Sequence, residues 1–235
     1  MKLLQLALIT SDLPAVVDGL CERLEIEVAF RDPSVAIFGL ENAVLPVGDG
    51  FLEVLTPIRE GTTGGRYLKR RGGDGGYMVI VQVDELAPER ERLGVRIAWE
   101  GSSAPQGEDG PSWQGIHLHP ADTGGALLSL DRPEPPDSWL PAGPDWRDHV
   151  RTGVVRSLRR AELQSDDPER LAARWSQVLG RPLAGDEIAL DRGSLRFVRA
   201  EDGRPEGLAG IELEASERTR AGETFELCGV RFRLV

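Results

Sequence analysis

Between Leu3 and Ile9 the chain runs LLQLALI, an apolar stretch that predicts a strand. Ser11-Asp12-Leu13-Pro14 follows with a capping side chain and a proline suited to a first helical turn. Residues 14–24 then place Val16, Val17, Leu20 and Leu24 on one face at helical spacing. Short apolar runs at 27–30, 35–40 and 51–55, punctuated by Asp-Pro, Glu-Asn and Gly-Asp-Gly, predict three strands. The same order restarts at Tyr77: YMVIVQVDEL reads as a strand, 88–93 as a short helix, and 95–99, 113–119 and 126–130 as strands. Residues 1–132 therefore read as one unit used twice, and such a repeat constrains the fold more than any single motif does.

Residues 133–149 are a proline-rich linker that should run extended over the surface, with Trp139 and Trp146 as packing anchors. Residues 150–235 begin the pattern a third time. A strand at 154–164 leads into the helix start Ser165-Asp166-Asp167-Pro168, and Leu171, Trp175 and Val178 face inward on a helix over 169–179. Strands follow at 187–190 and 194–198. GLAGIELEAS and ETFELCGVRFRLV predict a further strand and a hairpin, which fits a fourth unit whose helix has shrunk to a turn.

Composition narrows the class. With 40% hydrophobic and 29% charged residues over 235 positions, the chain reads as a globular protein with a sizeable core. The N-terminal apolar run is broken by Gln5 and lacks a small-residue cleavage site before Asp12, so it reads as a strand of the mature protein. No stretch is long enough to cross a bilayer. A formal charge of -11 disfavours nucleic acid as a partner. Lys69-Arg70-Arg71 and Arg156, Arg159 and Arg160 read as solvated faces. Cys21 and Cys228 have neither zinc-site nor disulfide-framework spacing, and a reducing cytoplasm is the expected compartment.

The segments LQLALITSDLPAVVDGLCERL, FLEVLTP, GGYMVIVQVDEL and HPADTGGALLSL resemble the opening and closing strands of vicinal-oxygen-chelate modules, the superfamily of glyoxalases, bleomycin-resistance proteins and extradiol dioxygenases. The resemblance implies an α+β fold in which paired βαβββ modules form a cupped mixed sheet, with a C-terminal third module and a reduced fourth. It also implies a divalent metal held by side chains from the first and last strand of each module. Those positions fall on Gln5, Glu53, Met78 and Ser129.

Gln5 and Glu53 offer oxygen donors, whereas a thioether and an un-ionised hydroxyl suit a hard or borderline ion poorly. No cofactor is expected. If a divalent ion binds at all, Gln5 and Glu53 hold it, with His117 or His119 as additional donors. The leading expectation is a metal-free cup that binds a small hydrophobic molecule through Gln5, Glu53, Met78, Ser129, His117, His119 and Trp113. The alternative is a lyase- or isomerase-type enzyme using Glu53 as general base, with or without a metal. Arg160 occupies the corresponding ligand position of the third module, and Arg cannot ligate a metal. Arg160, Arg196 and Arg199 suit either an anionic ligand or a solvated face. Module pairing within one chain or across a homodimer is left open.

Overall fold

In the computed structural model, which describes residues 1–105 and 110–235, the first repeat opens with β1 (Lys2–Ile9). Asp12 accepts a hydrogen bond from the Ala15 amide and caps α1 (Leu13–Leu24). A capping carboxylate with Pro in the first turn satisfies amides that a helix start otherwise leaves unpaired. β2 (Leu40–Val47) and β3 (Gly50–Pro57) complete the unit, β3 lying parallel to β1 and antiparallel to β2.

Two strand expectations are corrected here. The run at 27–30 forms only an isolated bridge between Phe30 and Val44. The run at 35–40 lies largely in a 3-10 turn, Pro33–Phe38, because Asp32 caps the Ser34 amide and Pro33 fixes the first turn. The paired strand is LENAVLPV instead, whose Asn42 and Pro46 obscure its character; at the margin of a sheet a proline removes little pairing.

The second unit comprises β4 (Gly75–Gln82), α3 (Leu86–Arg92), β5 (Ile97–Ser103), β6 (Ser112–Leu118), the single turn α4 (Pro120–Thr123) and β7 (Leu127–Glu134). Between the units lies α2 (Thr63–Arg71), capped by Thr62 on the Gly65 amide and absent from the sequence expectation. It carries Lys69-Arg70-Arg71. The first two are exposed, but Arg71 is only 2% exposed and donates to the Pro205 carbonyl, since its four-residue spacing from Tyr67 turns both inward.

Among the described residues the first sheet has the order β2-β3-β1-β4-β7-β6-β5, with β1 and β4 antiparallel at its centre. The second sheet repeats it. β8 (Val155–Ser165), α5 (Pro168–Leu179), β9 (Leu183–Ala184), β10 (Glu187–Ala189) and β11 (Ser194–Arg199) form a full module. β12 (Gly207–Ala215), β13 (Thr224–Leu227) and β14 (Val230–Leu234) form the reduced one, with a 3-10 turn, Arg218–Arg220, where the helix would stand. The order β13-β14-β12-β8-β11-β10-β9 again sets two opening strands antiparallel in the middle. This is the α+β, four-module architecture expected from the sequence.

One apolar core joins the sheets. Leu6, Leu8, Val54 and Val79 from the first meet Leu163, Phe197, Ile211 and Phe232 from the second, with the inward faces of α1 and α5 between them. Trp175 of α5 is fully buried there and donates to the Gly124 carbonyl of the first half. Gly76 lets β4 approach the second sheet, because a β-carbon at that position would collide with the carbonyl oxygen and side chain of Leu208. Among the described residues no helix is long and apolar enough to cross a membrane.

A shared core predicts one cooperative transition. Urea unfolding followed by circular dichroism should show both sheets lost together, and Trp175→Ala should cost about 3–5 kcal/mol. Two resolved transitions would show that the sheets are independently stable.

Candidate ligand-binding site

The second face of the first sheet carries the side chains of interest. A register shift between Leu3 and Gln5 turns Leu4 and Gln5 to the same side as Ala7 and Ile9. On β3 the period of two adds Phe51, Glu53 and Leu55; on β4, Met78 and Ile80; on β7, Leu127, Ser129 and Asp131. Gln5, Glu53, Met78 and Ser129 thus lie on one face, across four adjacent strands. The face is a cup, since Phe38 from the first module reaches Trp99 on β5 and His117 on β6 of the second, with ring centroids 5.2 and 5.9 Å apart.

The linker fills this cup. It does not run extended over the surface: two 3-10 turns, Leu140–Ala142 and Trp146–His149, fold it inward so that Trp139, Ala142 and Trp146 join Leu4, Ala7, Phe51, Met78 and Ile80 in a second apolar cluster. Trp146 meets Phe51 edge-on at 4.9 Å. The Trp139 indole N–H donates to Gln5 Oε1 at 2.7 Å, Gln5 Nε2 donates to Glu53 Oε2 at 2.8 Å, and Asn42 Nδ2 donates to Glu53 Oε1 at 2.6 Å. Gln5 is 2% and Glu53 6% exposed. Burial pushes the Glu53 carboxyl up to about 7, against the Asn42 and Gln5 hydrogen bonds and with a further rise from the charge of Asp32.

On the other side of the cup Ser129 donates to Asp131 Oδ1 at 2.5 Å, and the Trp113 indole donates to Asp131 Oδ2 at 2.8 Å. Burial pushes Asp131 to about 7 despite these two donors. Trp113 stacks on Trp99 at 6.1 Å and meets Trp139 edge-on at 6.4 Å. His117 packs on Trp99 at 4.5 Å, and burial holds its imidazole down at about 4. His119 lies elsewhere. It caps α4, with Nδ1 accepting from the Ala121 amide at 3.3 Å, so the two histidines do not share a site.

The superfamily's metal does not fit these residues. An indole N–H can only donate, so Gln5 must turn its carbonyl oxygen to Trp139 and its amide nitrogen to Glu53. Gln5 and Glu53 therefore cannot present oxygens to a common cation while Trp139 is in place. Met78 and Ser129 contribute a thioether and a hydroxyl already donated to Asp131. Excess Zn²⁺ or Mn²⁺ is expected to leave the Tm unchanged; a saturable rise would mean that the linker yields to a metal.

A cleft of about 380 Å³ remains beside the linker. Leu4, Phe51, Gln82, Trp139 and Trp146 line it beneath a rim that includes Lys2, Asp49, Arg147 and Arg192. Gln82 is 8% exposed. Its Nε2 donates to the Pro136 carbonyl at 2.7 Å, which fixes the amide orientation and leaves the buried Oε1 without a partner among the described residues.

Paired βαβββ modules around a cupped sheet define a protein of the vicinal-oxygen-chelate superfamily. Residues 6–179 match the profile of the glyoxalase-like domain, and the chain belongs to that family. No curated protein matches the sequence. The crystal structure of a hypothetical protein from Staphylococcus aureus matches with a TM-score of 0.73 at 11% identity, covering 100% of this chain and 98% of its own. It shares the fold over the full length. A methylmalonyl-CoA epimerase of Streptomyces coelicolor matches at TM-score 0.47 and 22% identity, covering 56% of this chain and 96% of its own. One from Mycobacterium tuberculosis matches at 0.46 and 22%, covering 56% and 87%.

Sequence reasoning placed Gln82 on the face of Met78 and Ile80 but did not find Asn42, Asp131 or the inward path of the linker. Asp131 was within reach, as the next residue on the face of Ser129. The path of the linker had no local signal.

The buried acids set a pH dependence. Ordinary values of 4.5 and 3.8 rise to about 7 in Glu53 and Asp131, so the stability tied to their protonation is full below the ordinary values and lost as pH climbs to about 7. His117 acts oppositely: its contribution is present above 6.5 and lost as pH falls towards 4. Two acids oppose one imidazole, so calorimetry should show the Tm falling from pH 5 to 7.5. Asp131→Asn, whose amide can still accept from Trp113 and donate to Ser129, should flatten that slope. A Tm that climbs over the interval would contradict the assignment.

Proposed function

We propose that this glyoxalase-like protein is a metal-independent binder of a small, largely apolar molecule, held in the cleft between the linker and the first sheet. The observation that carries the reading is a cleft walled by Leu4, Phe51, Trp139 and Trp146, with Gln82 in its lining and the buried Oε1 of that amide without a partner among the described residues. Apolar and aromatic walls with a few fixed polar groups are the composition of a small-molecule site. A buried acceptor without a donor costs about 1–3 kcal/mol, which a ligand N–H or O–H would offset. The preferred ligand is therefore a flat apolar molecule with one hydrogen-bond donor.

A reading as a proton-abstracting enzyme draws on the Glu53 carboxyl at about 7, close to an effective general base at neutral pH. Access opposes it. Both Glu53 oxygens are taken by amide donors, and Trp139 covers Gln5 above them. Catalysis by Glu53 would require the linker to leave, at the loss of the Trp139 and Trp146 packing.

Calorimetric titration with p-cresol and toluene separates these ideas. p-Cresol should bind more tightly than toluene, Gln82→Met should erase the difference, and Trp146→Ala should weaken both. If neither compound binds and neither raises the Tm, the cleft is not a ligand site.

A further inference from the structure

The second sheet carries the same four-strand centre as the first, and the registers superimpose. Gln5 faces Phe51 on β3 and Ile80 on β4, as Arg160 faces Ser194 on β11 and Glu212 on β12. Ala7 faces Glu53 and Met78, as Glu162 faces Arg196 and Gly210. Ile80 pairs with Ser129, as Glu212 pairs with Arg233. The positions of Gln5, Glu53, Met78 and Ser129 are thus taken in the second sheet by Arg160, Arg196, Gly210 and Arg233.

Among the described residues no linker covers this face. A cleft of about 240 Å³ crosses it, lined by Glu162, Arg196, Gly210, Glu212, Arg231 and Arg233 among others. Part of the charge is matched internally. Arg160 donates to Glu212 Oε2 at 2.6 Å and to Glu187 at 3.1 Å, Arg231 pairs with Glu162 Oε1, and Arg196 Nε donates to Asp186 at 2.8 Å. The remainder has no partner among the described residues: Glu162 Oε2, Glu212 Oε1, both terminal nitrogens of Arg196 and the whole guanidinium of Arg233. Glu162 and Glu212 are 7% and 8% exposed, so each side chain is largely sunk in the sheet and opens only onto the cleft. Gly210 keeps the floor low, since a β-carbon there would press on the Glu162 side chain at 2.8 Å.

From this we infer a second binding site in the chain, for a small zwitterion of the α-amino acid type. Its ammonium group meets the free oxygens of Glu162 and Glu212, and its carboxylate meets Arg233 and the terminal nitrogens of Arg196. A lone anion would leave two carboxylate oxygens unmatched, and a lone cation would leave the Arg233 guanidinium and the terminal nitrogens of Arg196 so. A molecule carrying both charges matches each with charge-assisted hydrogen bonds, and arginine's planar fork suits a carboxylate.

The test is calorimetric titration of the intact protein with L-alanine, L-leucine, L-glutamate and L-lysine, followed by the N-acetyl and methyl ester forms of the tightest binder. At least one free amino acid should bind, and blocking either end should weaken it about tenfold or more. Arg233→Ala, at an exposed side chain with no internal partner, should weaken the free amino acid to a similar degree, as should the isosteric Glu212→Gln. Trp146→Ala, in the other cleft, should leave it unchanged. Absence of binding by all four amino acids, equal binding of the blocked forms, or indifference to Arg233→Ala would each overturn the assignment.

Discussion

A carboxylate buried to the extent of Glu53 must be surrounded by donors or give up its charge, and the first half of the molecule is organised around that requirement. Asn42 and Gln5 supply two amide N–H groups. Gln5 can do so only because its carbonyl oxygen is held by an indole that cannot act as an acceptor. Trp139 therefore orients Gln5 as well as packing against it, and the linker that carries Trp139 is drawn into the cup. Turns, aromatic edges and the cluster around Phe51 follow from seating that one ring.

The two sheets show how one backbone register supports opposite chemistries. In both, two parallel strand pairs flank a central antiparallel pair and bring four side chains to the middle of one face. In the first sheet that centre is covered by apolar rings, and its two acids, Glu53 and Asp131, are driven towards neutrality by burial. In the second it is open and carries arginines with interleaved glutamates. Arginines crowded there would repel one another, and Glu162, Asp186, Glu187 and Glu212 relieve this pair by pair while leaving part of their hydrogen-bonding capacity unused.

Much of the architecture was legible because it is periodic and locally capped. The two helix starts at Asp12 and Asp167 use the same carboxylate-to-amide bond, and strand alternation put Gln5, Glu53, Met78 and Ser129 on one side. The failures share a cause, which is dependence on contacts distant in sequence. LENAVLPV alternates poorly because Asn42 answers to Glu53 across the strand pair. Arg71 is buried because its helix lies against the 205–207 segment of the second sheet, over 130 residues away. Proline fixed the local φ of the linker but not its direction, so the docking of Trp139 and Trp146 had no signature in the linker itself.

The docking of Trp139 and Trp146 closes the cup of the first sheet. Met78 and Ser129 offer poor donors to a cation, and an apolar concavity that buries the carboxyls of Glu53 and Asp131 without hydrogen-bond donors would be costly. Two tryptophans from an adjacent segment cover the apolar strands, and Trp139 fixes the amide that donates to the Glu53 carboxyl. The rings leave a cleft uncovered beside Gln82, and Glu53 is not in its lining. In the second sheet no such cover is present among the described residues, and its central charges line an open cleft. One register thus carries a capped, largely apolar centre in the first sheet and an arginine-rich centre in the second.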